Sequence, residues 1–204
     1  WGNLLSVLSW HNSISKQWYL ESSAFFSRNF GHIGISVEDD SWDEGENYIS
    51  VNQITRSLSD IAGARAFAVY TPSSSQQLRF GGEMLYKSYS PEITSGLELK
   101  VPGYKYDDGT EKSCFYDAVE GSLYLEDEFS LFSFIKANIG ARASIFHTKS
   151  KTYAFLEPRV SLKAQCGPSS SFRFSYTEMN QSDHSIATSY LDLPTDTWMP
   201  STAK

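Results

Sequence analysis

Gln77-Leu78-Arg79-Phe80-Gly81-Gly82-Glu83-Met84-Leu85-Tyr86-Lys87-Ser88-Tyr89-Ser90 is the stretch that decides the fold class. Leu78, Phe80, Gly82, Met84 and Tyr86 fall on one side, and Arg79, Gly81, Glu83 and Lys87 on the other. This is the period of two expected of a β-strand with one apolar and one wet face. The same split recurs downstream. Ile135, Ala137, Ile139, Ala141, Ala143 and Ile145 oppose Lys136, Asn138, Gly140, Arg142 and Ser144. Ala154, Leu156, Pro158, Val160, Leu162 and Ala164 oppose Glu157, Arg159, Ser161 and Lys163, and Pro158 requires a ladder position that tolerates a missing N–H. Phe172, Phe174 and Tyr176 oppose Arg173, Ser175 and Thr177, and Val119, Gly121, Leu123 and Leu125 oppose Glu120, Ser122, Tyr124, Glu126 and Glu128.

Upstream the pattern is noisier. Leu4, Leu8 and Trp10 share one face, as do Trp18, Leu20, Ala24 and Phe26. In the alanine-rich run to Tyr70 the facing is ambiguous, because Asp60 shares the side of Ala62, Ala64, Ala66 and Ala68. Helical spacing never persists, so the chain reads as all-β, an antiparallel meander of about eight strands. Short turns are expected near Asn12–Lys16, Thr71–Gln76, Ser130–Phe134 and Cys166–Ser171, and long loops over Gly31–Asn52, Pro91–Asp117 and from Asp183 onward. Only the Thr148–Thr152 link breaks that alternation of short and long.

Composition narrows the class. The chain has 204 residues, 40% of them hydrophobic, with 13 Phe, 12 Tyr and 5 Trp. Nowhere do about 18 apolar residues run together, which excludes a membrane-spanning helix. A net charge of −7 with scattered Lys and Arg argues against nucleic acid. Cys114 and Cys166 lack the spacing of a disulfide framework or zinc site and read as free thiols, while His11, His32, His147 and His184 are too scattered for a metal motif. The acidic run Glu38-Asp39-Asp40-Ser41-Trp42-Asp43-Glu44-Gly45-Glu46 lacks the ligand order of a calcium loop and reads as a solvated loop. No metal, cofactor or catalytic residue is assigned, and Glu126 with Glu128 reads as a strand-end pair rather than an acid and base.

Strands of about ten alternating residues, with short turns at one end and long loops at the other, are the pattern of an outer-membrane barrel. Hydrocarbon supplies no hydrogen-bond partners, so every backbone group must pair within a closed sheet. On that reading Arg79, Glu83, Lys87, Glu126, Glu128, Arg142, Glu157, Arg159, Lys163 and Arg173 face the lumen, for contact with a plug or substrate. Trp10, Trp18, Tyr70, Tyr86 and Phe129 suit interfacial girdles, and Trp42, Tyr48, Tyr104, Tyr106, Tyr190 and Trp198 are loop candidates for stacking on a ligand. With the short turns in the periplasm, both ends of the chain fall outside the cell, and no signal segment opens it. The expectation is a segment of barrel wall. A soluble extracellular β-sandwich that binds a ligand, lectin-like, is the alternative, and a Cys114 to Cys166 disulfide would favour it.

Several stretches in order resemble the barrel region of TonB-dependent outer-membrane receptors of the type with an N-terminal carboxypeptidase-regulatory-like domain. They are Trp1-Gly2-Asn3-Leu4, Leu78-Arg79-Phe80-Gly81-Gly82-Glu83, Leu123-Tyr124-Leu125-Glu126-Asp127-Glu128-Phe129, Leu156-Glu157-Pro158-Arg159-Val160-Ser161-Leu162 and Leu193-Pro194-Thr195-Asp196-Thr197-Trp198-Met199-Pro200-Ser201. The resemblance implies a plugged barrel of about 22 strands, of which this chain supplies roughly a third. It also implies energy-coupled uptake of a small nutrient and an outer-membrane location. The implied partners are the remaining strands, a plug domain, the TonB complex and a surface lipoprotein. Neither a TonB box nor a plug is found in these residues.

Overall fold

The computed structural model describes residues 1–39, 48–101, 104–149, 151–186 and 197–200. Among these there is no helix. The main sheet contains β1 (Gly2–Ser13), β2 (Trp18–Asp39), β3 (Tyr48–Ser73), β4 (Gln76–Val101), β5 (Tyr104–Ser113), β6 (Tyr116–Phe132), β7 (Ile135–Thr148), β8 (Thr152–Gln165) and β9 (Ser171–Thr177). Eight of them form an antiparallel meander in the order β1-β2-β3-β4-β6-β7-β8-β9, with β5 added beside the far half of β4. The sheet is open, and β1 and β9 are its edges. A small hairpin, β10 (Asp183–Ile186) with β11 (Thr197–Pro200), lies against β4 and β6.

The register joins the separate alternations into two continuous faces. Arg79 pairs with Glu126, Gly140 with both Glu126 and Arg159, and Arg159 with Thr177, so the charged alternates of five strands share one side. Phe80, Leu125, Ala141 and Pro158 form a row on the other side. The apolar side has sharp limits. Trp18, Tyr70 and Leu78 make its first row, and Phe26, Ala62, Tyr86 and Val119 its last. The row above is Arg28, Asp60, Ser88 and Asp117. Asp60 therefore belongs with the alanines by phase but stands just beyond the apolar field, where both its oxygens accept from Arg28 at 2.7 and 2.6 Å. The other end begins with Trp18 stacked on Tyr70 at 4.5 Å, and Asp127 there accepts from Gln76 Nε2 at 2.9 Å.

Pro158 and Pro91 occupy strand positions that cost little. A residue's C=O and N–H point to the same side of a strand, and the Pro158 C=O accepts from the Glu178 N–H at 3.2 Å, one residue beyond the end of β9. The missing N–H thus faces a place where the ladder has already stopped. Pro91 likewise sits where β4 changes partner from β6 to β5, and its C=O accepts from Cys114.

The four short turns fall at one end, as expected, and three of them are tied to a neighbouring turn or strand end by Thr71 N–H to Gln17 O, Ser130 N–H to Ser75 O and Gln165 N–H to Phe134 O. The long loops need correction. Gly31–Asn52 and Pro91–Asp117 are largely strand: β2 reaches Asp39, β3 begins at Tyr48, β4 reaches Val101, and β5 fills most of the rest. The ladder continues there, and the apolar residues of the sequence, Ile33, Ile35 and Val37 in β2 and Ile93, Leu97, Leu99 and Val101 in β4, fall in the phase opposite to that of the apolar field below. Cys114 and Cys166 are both free and stand at opposite ends of the sheet.

Candidate functional site

Charges on the polar face are arranged as a lattice across β4, β6, β7 and β8. Glu126 on β6 and Arg159 on β8 flank Gly140 of the intervening β7, and Arg159 Nη1 reaches Glu126 Oε1 at 3.4 Å. A Cβ at Gly140 would lie 2.6 Å from Glu126 Cγ and 2.8 Å from the Leu125 carbonyl oxygen. Glycine is thus what lets the two charges meet over the middle strand. Arg142 reaches diagonally across β6, with Nη2 3.4 Å from Glu83 Oε2 and 3.8 Å from Glu120 Oε1. Arg79 lies over the Phe67 ring at 5.5 Å.

At the upper end Lys87, 7% exposed, holds two carboxylates: Glu120 at 2.7 Å and Asp183 in close contact. Its Nζ also stands 5.9 Å from the Phe146 ring centre. Glu157, 6% exposed, accepts the Asn180 N–H at 3.0 Å. Tyr89, Ala118, Phe146 and Thr148 are buried in the same quarter of the polar face, giving the sheet a small local core. Arg142 Nε, Arg159 Nε and Asp183 Oδ1 are buried without a hydrogen-bond partner among the described residues.

The ten charged candidates all share the polar face, but only some of them meet. Arg79, Glu83, Lys87, Glu126, Arg142, Glu157 and Arg159 belong to the lattice or its border, whereas Glu128 faces Gln77 and Asn138. Lys163 is flanked in register by Lys136 and Arg173, all three exposed, a row of like charge apart from the lattice. Of the loop candidates, Trp42 and Tyr190 lie outside the described residues. Tyr48, Tyr104, Tyr106 and Trp198 are strand residues, in β3, β5 and β11, rather than loop residues. Most of the acidic run lies outside the described residues, with Glu38 and Asp39 ending β2. Sequence reasoning did not single out Glu120, Asn180 or Asp183 as site residues. One signal was present: Phe146 is a large aromatic in the phase of Lys136, Arg142 and Ser144, which marks a covered spot on the polar face.

The other face is uncovered. Leu8, Met84, Leu123, Leu156 and Phe172 are 63–77% exposed. A shallow, almost wholly apolar depression of about 940 Å³ lies there, where Ala24, Ala64, Gly82 and Gly121 leave room between Leu8, Trp10, Met84 and Leu123. Among the described residues no three His, Cys, Asp or Glu side chains are grouped to hold a metal. No protein-family model matches the sequence, and no curated protein matches it.

Proposed function

We propose that this chain is a length of wall from a large outer-membrane β-barrel, of the kind that forms TonB-dependent nutrient receptors. One observation carries the reading: a bounded apolar field on a sheet one layer thick. Trp18–Phe26, Ala62–Tyr70 and Leu78–Tyr86 are in register, each about nine residues or 30 Å along the strand. At a barrel tilt this stands roughly 25 Å tall, the height of an outer-membrane apolar band. Its upper limit is the charged row of Arg28 and Asp60, and its lower limit carries the stacked Trp18 and Tyr70. A Lys or Arg at the midplane of a bilayer costs about 2–4 kcal/mol, which explains why the charges keep to the other side.

The open edges fit the same reading. Unpaired edge groups of β1 and β9 are incompatible with hydrocarbon unless further strands continue the sheet. The polar face is then the lumen wall, and its lattice faces an inner domain or the solute path. The receptor assignment rests on the ordered sequence resemblance, with the nutrient, plug and TonB partners that it implies.

The test uses the whole parent protein in lipid vesicles, with spin labels at Leu123→Cys and Tyr124→Cys. Oxygen, which concentrates in lipid, is expected to relax the first label, and a water-soluble nickel chelate the second. Equal nickel access at both positions would overturn the membrane reading. The receptor reading is tested separately, by nutrient uptake in cells with and without TonB. Undiminished uptake without TonB would remove the energy-coupled role and leave the barrel.

A further inference from the structure

We infer that residues 178–184 form a releasable strap, latched by Asp183 on Lys87, which closes a small polar chamber against the sheet. After β9 the chain does not continue upward beside β8. Asn180 donates its N–H to Glu157 on β8, and three residues later Asp183 reaches Lys87 on β4. The path from β8 across β7 and β6 to β4 spans three inter-strand spacings, about 14 Å; three extended residues cover about 11 Å of it, and the side chains of Glu157, Asp183 and Lys87 close the remainder.

Burial agrees with a cover at this place. Phe146 is 1% exposed although it sits on the polar face of a single-layer sheet, where only something lying above can shield it. Met179, Asn180 and Ser182 of the strap line a chamber of about 150 Å³ whose sheet side includes Arg142, Phe146 and Glu157.

The contacts of the latch favour release as well as closure. When Asp183 leaves, Lys87 keeps Glu120 at 2.7 Å, so no buried ammonium is stranded. In the closed position Asp183 Oδ1 is buried without a partner, a desolvation cost that is recovered on opening. β10 adds only a four-residue pairing to β11, which in turn rests on β4 and β6. The described contacts of the strap with the wall are then the Asp183–Lys87 pair with Tyr89 beside it, and the N–H bonds of Glu178 to Pro158 O and of Asn180 to Glu157, opposed by one unsatisfied oxygen. None of this depends on whether the apolar face meets lipid.

The experiment uses the whole parent protein with Cys114 and Cys166 replaced by Ser. In Lys87→Cys/Asp183→Cys, a short flexible bis-maleimide, which spans the reach of the replaced Lys–Asp pair, is expected to join the two thiols within one chain, whereas it is not expected to join those of Ser13→Cys/Asp183→Cys. A water-soluble maleimide is then applied to Ser144→Cys, beneath the strap, and to Ser161→Cys, outside it. Adding Asp183→Ala is expected to speed labelling at residue 144 about tenfold, the equivalent of one charge-assisted contact, and to leave residue 161 unchanged. Thermal unfolding of each variant separates strap release from loss of the fold. Absence of the cross-link would overturn the docked strap. A cross-link with unchanged labelling at residue 144 would overturn the latch. Either result is independent of the spin-label test of the membrane face.

Discussion

The polar face is chemically divided, and the two halves solve different problems with the same strand geometry. Across β4, β6, β7 and β8, side chains of opposite charge meet over intervening strands, and the strap covers one corner. Across β1, β2 and β3 the same phase carries Leu5, Val7, Phe25 and Ile61, with Arg65 donating to Ser23 Oγ at 2.9 Å. Leu5 and Val7 are 63% and 58% exposed. The charged half is largely satisfied from within, while the other half, where Leu5, Val7, Phe25 and Ile61 are interspersed with Ser9, Glu21 and Ser27, offers unspent contact area at its exposed apolar members. Alternation assigns a residue to a face; it does not say what that face meets.

The largest effect that sharpens this contrast is expected at Lys87. Lys87→Met removes the cation shared by two half-buried carboxylates, leaving Glu120 with Arg142 at 3.8 Å and freeing Asp183, and is expected to destabilise the parent protein by about 3 kcal/mol. Arg65→Met, its counterpart in the other half, removes one hydrogen bond and is expected to cost about 1 kcal/mol. Denaturant unfolding of both variants measures the difference, and equal losses would erase the distinction between the halves.

Next in size is Gly140→Ala. Its Cβ forces apart Glu126 and the Leu125 carbonyl, for an expected loss of about 1–3 kcal/mol. Gly121→Ala meets nothing within 4 Å and serves as the control. The same unfolding measurement should show that control within about 0.5 kcal/mol of the parent.

The smallest effect is expected for Leu5→Ser with Val7→Ser. If those side chains stay uncovered in the assembled protein, the pair changes stability by less than about 0.5 kcal/mol per residue. A loss of several kcal/mol by the same unfolding measurement would show that an inner partner rests on this half.

The strands that cross the apolar field were legible because their two faces meet different surroundings. Leu78 to Tyr86 and Ile135 to Ile145 carry that contrast residue by residue, whereas Asp60 left the facing of the alanine run ambiguous until the register placed it just beyond the apolar field. The upper parts of β2 and β4 were missed although the sequence carries a signal there: Ile33, Ile35 and Val37, and Ile93, Leu97, Leu99 and Val101, alternate with polar residues, but in the phase opposite to that of the apolar field, so they do not extend the alternation below. The lattice was half legible: the charged phase named most members, but only the register shows that Arg159 crosses Gly140 to reach Glu126. Asp183 was beyond reach, because its partner lies 96 residues earlier and no local pattern announces a chain that turns inward.

Gly140 has a further consequence for how the sheet assembles. A slip of β7 by one residue would turn every side chain to the wrong face and is rejected at once. A slip by two residues keeps all faces correct, and alternation is blind to it. It would, however, bring Asn138 or Arg142 between Glu126 and Arg159, where even a methyl group does not fit. The glycine and the charge pair above it act together as a fidelity check, refusing the one misalignment that hydrophobic patterning would let pass.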